Sequence, residues 1–451
     1  MGRLLRTLGV CVAVVVTLAL SAPDSLLLAQ TTATQTDPPP PPPGVSAALD
    51  SARALRGQRM AITLYTYGPG NAVFERFGHI ALAVHDSASG QNIAFNWGMF
   101  DFNQPNFLSR FLTGDTNYWM AGFNTDAFNA MYRSENRSIR AQQLVLTPVE
   151  RAALFEFAAW NATESHKFYR YDYYEDNCAT RIRDALDYVL RGQLRSALTA
   201  PGAGHTWRGE TARITASDLP TYAGIEIALG RNADMTLTKW QEAFLPEYLA
   251  GHLAGFIVRD GESRRYSLVG SDTVLFAAAE RVPLPTEPPG RLAAAALIGL
   301  TLAGLIAALA DAKQRVARAL LSIAVALGYI VGGILGTLLM LAGTVTKHAP
   351  YMGSNTTLLQ LHVLLAVAAW PVSRALWHGT RSRVAFGLSA VVALLSLTGV
   401  VLQFVPSLTQ SSGVVLAVMV PVHIALALAM WRLDHHDAAH RRASVPIARA
   451  A

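Results

Sequence analysis

The sequence predicts an exported α+β domain followed by an α-helical membrane domain of five spanning helices. Up to about residue 285, the 451-residue chain is mixed in polarity and rich in aromatics, with short segments of period-two and period-3.6 apolar spacing. From residue 291 to 431 it is nearly all Ala, Leu, Val, Ile and Gly, in runs near the roughly 20 residues that cross a bilayer. The N-terminus is basic and then apolar, which is typical of an export signal.

The first 45 residues predict export and a stiff spacer. Met1–Arg6 is basic, and Thr7–Leu20 is apolar but short for a membrane span, so residues 1–30 have the pattern of a secretory signal. No stretch matches a cleavage site well, and an uncleaved anchor therefore stays open. Six consecutive prolines, Pro38–Pro43, make residues 31–45 a polyproline linker.

Residues 46–285 form the predicted exported domain. Helices are predicted at Ala47–Arg56, Thr147–Asn161, from Cys178 onward and at Thr238–Leu253, and strands at Ala61–Tyr67, Phe77–His85, Asn92–Phe102, Arg140–Leu146 and, as a hairpin, within Gly255–Leu275. Thr147, Pro148 and Glu150 together form a capping box with proline at the first helical position. The segments Phe107–Tyr118 and Phe128–Arg137 are interpreted as short helices or turns.

The strand that contains His79 carries the first group of candidate residues. Apolar side chains alternate with histidine and alanine along it, in the order His79, Ile80, Ala81, Leu82, Ala83, Val84, His85. This period-two pattern predicts that one face packs into a core, whereas the other presents two imidazoles over small residues. Asn96, on the next predicted strand, is the candidate for orienting the His79 imidazole; the alternative is that Asn96 closes a turn.

The stretch Tyr171–Arg181 carries the second group. Asp176 or Asn177 is a natural N-cap, which places Cys178 in the first turn of a helix. There the helix dipole and unpaired N–H groups are expected to lower the thiol pKa from about 8.5, and a nearby imidazole would accept the proton. His79 and Cys178 are thus the candidate base and nucleophile of an acyl-transfer site. The alternative is a small buried thiol and a structural histidine.

The number and spacing of the cysteines and histidines bear on whether the protein forms disulfides or binds a metal. The two cysteines are Cys11 and Cys178, so removal of the N-terminal segment leaves one thiol and no internal disulfide. No Cys, His and carboxylate spacing completes a metal site, and no metal or cofactor is predicted.

Five apolar runs are predicted to span the membrane. They are Leu292–Ala310, Ala319–Ala342, Leu358–Trp377, Val384–Val405 and Val414–Trp431. Arginine and lysine concentrate in the first and third loops and in the tail, residues 432–451, whereas the second loop carries only Lys347 and the fourth has none. This asymmetry predicts a cytoplasmic C-terminus and an N-terminal domain outside the cytoplasm.

The formal charge of +6 does not indicate a nucleic-acid partner, because the arginines lie mainly at the ends of apolar runs. His362 and His423 lie within the apolar runs without an evident charged partner, so no transport path is predicted. His348 and Asn355, in the second loop, are candidates for a rim at the lipid level. A plain interfacial loop is the alternative.

Several motifs together resemble a known family. In chain order they are Gly68-Pro69-Gly70, Phe77-Gly78-His79, Asn96-Trp97-Gly98-Met99-Phe100, Tyr171–Arg181 with its Asn-Cys-x-Thr-Arg core, Trp207-Arg208, and Gly230–Asp234 followed by Phe244-Leu245-Pro246. Over roughly residues 60–255, this ordered set resembles the periplasmic domain of the Lnb-type lipoprotein N-acyltransferases.

The resemblance implies a permuted papain-like Cys/His domain, in which the histidine strand precedes the cysteine helix. It implies that Cys178 is the nucleophile and His79 the base, without a cofactor. Supporting roles are expected among Asn96, Asn177 and Arg181. The expected substrate rim consists of His85, Tyr171, Arg208, His348 and Asn355.

Members of this family transfer a fatty acyl chain to the N-terminal cysteine of membrane-bound lipoproteins. The resemblance therefore implies phospholipid and lipoprotein substrates, contact with the membrane, and a place in the bacterial inner membrane. Two other functions stay open. One is a cysteine amidase or peptidase that acts on cell-wall peptide or lipid and gives its acyl group to water. The other is a membrane-anchored binding domain without catalysis.

Overall fold

The computed structural model describes residues 46–260, 264–281 and 283–443, except for the side chains of residues 46–48 and 436–443. The predicted signal segment, the proline-rich linker and residues 444–451 of the tail lie outside the described residues. Contacts divide the chain into two compact units. The sheet unit holds the described residues of Thr31–Thr221 and Met235–Pro288, and the helical unit holds those of Tyr222–Asp234 and Pro289–Ala451.

The sheet unit is a mixed α+β structure. Its strands are β1 Met60–Tyr67, β2 His79–Asp86, β3 Gln91–Met99, β4 Asn117–Asn124, β5 Ile139–Leu144, β6 Phe168–Arg170, β7 Pro201–Thr206, β8 Thr236–Thr238, β9 Ile257–Asp260, β10 Arg264–Ser267 and β11 Val269–Phe276. Seven of them form an antiparallel sheet in the order β11-β5-β1-β2-β3-β4-β6, and β7-β8 and β9-β10 form two small ribbons.

Ten helices accompany these strands in the part of the chain described up to residue 254. They are α1 Ser46–Gly57, α2 Phe107–Thr113, α3 Thr125–Ser134, α4 Pro148–Asn161, α5 Cys178–Val189, α6 Gln193–Leu198, α7 Trp207–Ile214, α8 Leu219–Ala228, α9 Lys239–Glu242 and α10 Pro246–Ala254. Helix α4 begins as predicted: Glu150 N–H donates to Thr147 Oγ1 at 3.3 Å, and Thr147 N–H donates to Glu150 Oε2 at 2.7 Å.

Helices cover both faces of the central strands. On one face, Ile80 and Leu82 of β2 pack with Ile182 and Leu186 of α5 in the main core. On the other face, Ala81, Ala83 and Ala94 lie beneath Phe128 and Tyr132 of α3. The face predicted to present two imidazoles is therefore largely covered, because its small alanines let a helix pack closely against the sheet.

Among its described residues, the helical unit contains five helices that are long and apolar enough to cross a membrane, which is the number predicted. These spans are Leu292–Ala310, Arg315–Val345, Thr356–His378, Arg383–Leu402 and Gly413–His435. The corresponding helices are α11 Leu292–Ala310, α12 Arg315–Val345, α14 Val363–His378, α15 Arg383–Leu402 and α16 Gly413–Ala443, with the short α13 Ala349–Met352 before α14.

A buried polar stretch precedes α14. Residues 353–362 are all buried, although several of them are polar. Asn355 Nδ2 donates to Ile227 O and Ala228 O at 3.0 Å each, and Thr356 N–H donates to Gln410 Oε1 at 2.8 Å. Buried backbone groups need such partners, so side-chain amides satisfy the end of α8 within this unit.

Candidate functional site

The candidate site lies where β2 and β3 part. Their pairing runs from Asp86↔Gln91 to Leu82↔Phe95 and ends there, whereas β3 continues to pair with β4 as far as Met99. The β3–β4 pairing shifts register between Trp97 and Met99, at Gly98, whose φ is +99°. A positive φ at a bulge favours glycine, and the bulge bends β3 away from β2.

Three side chains converge beside Gly98. A methyl group placed on this residue would lie 3.8 Å from Cys178 Cβ, 3.9 Å from His79 Cε1 and 3.9 Å from Tyr171 Cε2. The two stretches that the sequence singled out a hundred residues apart thus meet in the opening between the strands. The absence of a side chain at Gly98 leaves the space that a reacting group would need.

The His79 imidazole is fixed by Asn96. Its Nε2 lies 2.5 Å from Asn96 Oδ1, while Asn96 Nδ2 donates to Met99 Sδ at 3.0 Å. An amide oxygen only accepts hydrogen bonds, so Nε2 carries the ring proton and Nδ1 keeps a lone pair. The ring also stacks with those of Tyr67 and Tyr132, at 6.3 and 6.2 Å between centroids. Burial lowers the pKa of His79 to about 4, so the imidazole is a neutral base.

Cys178 begins helix α5, as predicted, and is 9% exposed. Its environment does not lower the thiol pKa. Burial raises that pKa to about 12, although hydrogen bonds from the backbone N–H groups of Ile80, Ala179 and Cys178 itself act in the opposite direction. The expectation of a resting thiolate is therefore wrong, because loss of solvation outweighs the first turn of the helix.

A neutral thiol beside a neutral imidazole suits general-base chemistry. The lone pair on His79 Nδ1 can take the thiol proton as the sulfur attacks a carbonyl carbon, so charge develops only during the reaction. The same imidazolium can then protonate a leaving alkoxide or amine. The arrangement has the parts required for acyl transfer through a thioester.

Asn177 and Arg181 hold the cysteine in place. Asn177 Oδ1 accepts from the N–H groups of Ala179 and Thr180 at 2.8 and 3.0 Å, and its Nδ2 donates to Phe244 O at 2.9 Å. Arg181 forms a two-pronged ion pair with Asp176, with Nη2 at 2.7 Å from Oδ2, and its guanidinium lies over the Tyr169 ring. Both residues therefore fix the loop and helix end that carry Cys178.

The other candidate residues have different positions. Tyr171 borders the site and stacks on Tyr118 with centroids 4.3 Å apart. Arg208 is buried on α7, whose Trp207 stacks on Tyr174 at 5.2 Å, close to the approach to Cys178. His85 is exposed at the far end of β2, about 20 Å from His79 along the strand, and is not brought to Cys178.

The remaining two candidates, His348 and Asn355, belong to the helical unit. Asn355 is 1% exposed, and its side chain is engaged: Oδ1 accepts from Thr357 N–H at 2.9 Å and from Gln410 Nε2 at 3.0 Å, while Nδ2 binds the end of α8. In this unit Asn355 supports the polar stretch before α14.

Three further residues lie around His79 without a signal in the sequence that marks them. Gly98 belongs to the motif Asn96–Phe100, but its positive φ has no signal in the sequence. Tyr132 stacks on His79 from α3, and the Arg137 guanidinium lies 4.5 Å from the Tyr132 centroid. Arg137 Nε donates to Gly68 O at 2.9 Å, which ties down the loop before His79. Only the tertiary fold brings these residues together.

Among the described residues, no three His, Cys, Asp or Glu side chains are grouped so that they could hold a metal ion.

Part of the chain matches the model of a known protein family. The family model described as the Lnb N-terminal periplasmic domain matches residues 49–212, which include β2, β3 and the start of α5. With five apolar helices among its described residues, the chain is a multi-pass membrane protein, and the match supports an Lnb-type family. No curated protein and no solved structure shows significant similarity to the chain.

Proposed function

We propose that this protein is a membrane-bound acyltransferase that moves a fatty acyl chain from phospholipid, through a thioester on Cys178, to the N-terminal cysteine amine of bacterial lipoproteins. The observation that carries the proposal is the meeting of Cys178 and His79 at Gly98, with Asn96 fixing the imidazole. The match to an Lnb periplasmic domain and the resemblance of the motifs supply the substrate class. The five spanning helices support a lipid substrate.

The first half-reaction forms the thioester. His79 Nδ1 takes the Cys178 proton while the sulfur bonds to the ester carbonyl carbon of the phospholipid. The tetrahedral intermediate then breaks its carbon–oxygen ester bond, and His79 gives the proton to the leaving alkoxide, which departs as lyso-phospholipid. General acid–base assistance of this kind contributes about 10²–10⁴-fold to the rate.

The second half-reaction transfers the acyl group. The lipoprotein amine attacks the thioester carbonyl and loses a proton to His79. The carbon–sulfur bond breaks, and the proton returns to the Cys178 sulfur. A water-poor opening favours the amine over hydrolysis, and the buried thiol and its aromatic neighbours provide such surroundings.

Backbone N–H groups near the sulfur are the proposed oxyanion donors. Because the Asn177 cap already occupies the N–H groups of Ala179 and Thr180, the better donors are those of Ile80 and Cys178. Ile80 lies in the part of β2 that has no β3 partner. One well-placed donor contributes about 2.7–4 kcal/mol in other acyl-transfer sites.

We also propose a permuted papain-like fold for the sheet unit and a place in the inner membrane for the protein. A histidine strand that precedes a cysteine helix, with an asparagine on the neighbouring strand, is what a permuted papain-like domain requires. The loop charges support a place in the inner membrane, with the sheet unit on the periplasmic side and the C-terminus in the cytoplasm.

A product assay tests the proposal. The purified full chain is incubated with phospholipid vesicles and a diacylglyceryl lipopeptide, and both lipid products are followed by mass spectrometry. We expect equal amounts of lyso-phospholipid and N-acylated lipopeptide from the wild type and from His85→Ala, and neither from Cys178→Ser or His79→Ala. Free fatty acid in place of acylated lipopeptide would identify a hydrolase, and no turnover of lipid would refute the proposal.

A further inference from the structure

The sheet unit carries an exposed cluster of apolar side chains, which we call the apolar patch. Its members are Val73 (43% exposed), Phe74 (54%), Phe102 (62%), Leu108 (68%), Phe111 (51%) and Leu112 (60%). They come from the turn Val73–Glu75 and from the segment that ends in helix α2. Clusters of exposed large apolar residues mark interaction sites.

Ring contacts make the patch one surface. Phe74 lies 6.1 Å from Phe102, Phe102 lies 5.2 Å from Phe107, and Phe107 lies 6.2 Å from Phe111, all between centroids. Phe100 lies inward of these rings, 4.9 Å from Phe102 and 5.3 Å from Phe74. The patch is therefore continuous from solvent to a half-buried phenylalanine.

The same contacts lead to the candidate site. Phe100 lies 5.1 Å from Tyr118, and Tyr118 stacks on Tyr171 at 4.3 Å. Tyr171 is one of the three side chains that meet at Gly98 with Cys178 and His79. An unbroken row of aromatic rings thus joins the exposed patch to the opening beside Gly98.

The composition of the patch favours lipid over protein. Its exposed members are phenylalanine, leucine and valine. None is Trp, Tyr or Arg, the residues that carry most of the binding energy at protein interfaces, where leucine and valine are under-represented. Arg110 lies at the edge of the apolar patch, and its Nε donates a hydrogen bond to Asp115 O at 2.9 Å. A short helix with exposed Leu and Phe suits the boundary between headgroups and acyl chains.

The chain itself supplies the bilayer. Five of its described helices are long and apolar enough to cross a membrane, and the first begins at Leu292, a few residues after the sheet unit ends at Pro288. The sheet unit is therefore tethered at a membrane, where a lipid surface is present at high effective concentration.

We propose that the apolar patch inserts into the surface of a lipid bilayer and that the Phe100–Tyr118–Tyr171 row receives the acyl chain of a lipid whose ester reaches Cys178. The first half concerns membrane docking alone. The second half rests on the proposed acyl-transfer function.

Photo-crosslinking tests the docking. A benzophenone amino acid replaces Leu108 in the full chain, reconstituted in vesicles of phosphatidylethanolamine and phosphatidylglycerol. The control carries the same group at Val274 of β11, which is 63% exposed. We expect at least tenfold more lipid adduct at position 108. Equal labelling at both positions, or cross-links from position 108 to protein only, would overturn the proposal.

A pair of esters tests the acyl path. The double variant Leu108→Asp/Phe111→Asp is compared with Val274→Asp for acylation of Cys178 by vesicle phospholipid and by p-nitrophenyl acetate. The quantity compared is the rate with vesicle phospholipid divided by the rate with p-nitrophenyl acetate. We expect this ratio to fall at least tenfold in the double variant and to stay within twofold of the wild-type ratio in Val274→Asp. An unchanged ratio would overturn the path.

These experiments separate the two proposals. If wild type reacts with neither ester, the proposed acyl-transfer function fails, whereas cross-linking at position 108 still decides the docking.

Discussion

His79 Nε2 lies 2.5 Å from Asn96 Oδ1, across the point where β2 and β3 stop pairing. This contact joins the two strands by side chains after their backbone ladder has ended. It also fixes the ring proton on Nε2, which leaves Nδ1 as the basic nitrogen.

Removal of the Asn96 amide should release the imidazole. For Asn96→Ala we expect the rate of Cys178 acylation to fall about 10²-fold, since a small misplacement of a catalytic group has an effect of that size. Asn96→Asp keeps an acceptor for Nε2 and should retain more activity. Burst-phase acylation by p-nitrophenyl acetate measures both. Equal activity of Asn96→Ala and wild type would show that the contact does not orient the base.

Gly98→Ala should close the opening. Its φ of +99° strains any other residue, and the added methyl would contact Cys178, His79 and Tyr171. Gly90→Ala is the matched control, because Gly90 has a φ of +68° with nothing within 4 Å of the added carbon. We expect both variants to lower the melting temperature and only Gly98→Ala to abolish acylation. Full activity of Gly98→Ala would contradict the site.

The pKa values predict the pH dependence of acylation. Because the pKa of His79 is lowered to about 4, the neutral base is present above that value and is lost as the pH falls through it. The acylation rate should therefore be flat from roughly pH 6 to 9 and decline toward pH 4. A rate that falls already between pH 7 and 6 would indicate an imidazole with an ordinary pKa.

The raised pKa of Cys178, about 12, predicts slow alkylation of the free protein. The thiolate is the reactive form, so the rate with iodoacetamide should rise about tenfold per pH unit from pH 6 to 9. Mass spectrometry of the modified peptide follows the rate. A plateau in this range would instead reveal a stable thiolate–imidazolium pair.

Asn177→Ala should destabilise the sheet unit. The N-cap accepts two helix N–H groups, and its loss lowers the free energy of unfolding by about 1–2 kcal/mol, with more from the unpartnered carbonyl of Phe244. Asn124→Ala removes the cap of α3, which accepts a single N–H, and should have the smaller effect. A melting temperature equal to that of wild type would contradict the role of Asn177.

Local sequence signals predicted much of this structure. The capping box at Thr147, the N-cap before Cys178 and strand β2 each depend on neighbours in the chain, and each appears near its predicted position. The five apolar runs likewise agree with the spans, because length and hydropathy alone define them.

Other features depend on distant contacts and were missed. The segment Phe107–Tyr118 continues into strand β4, and Val269–Phe276 leaves its predicted hairpin to join β5 in the main sheet. Residues Tyr222–Asp234 group with the membrane helices, because Asn355 and Gln410 satisfy their backbone carbonyls. The pKa of Cys178 is raised and not lowered because the thiol is buried, and the spacing of residues in the sequence does not show that burial.

If Cys178 carries the acyl group, intact-mass spectrometry of the protein detects the thioester itself. The full chain is mixed with phospholipid vesicles without an acceptor, quenched in acid and weighed before and after hydroxylamine. We expect a single fatty-acyl adduct on wild type that hydroxylamine removes. Cys178→Ala should form no adduct, and Asn96→Ala should form it slowly. An adduct that persists in Cys178→Ala, or the absence of any adduct on wild type while lyso-phospholipid accumulates, would show that Cys178 does not carry the acyl group.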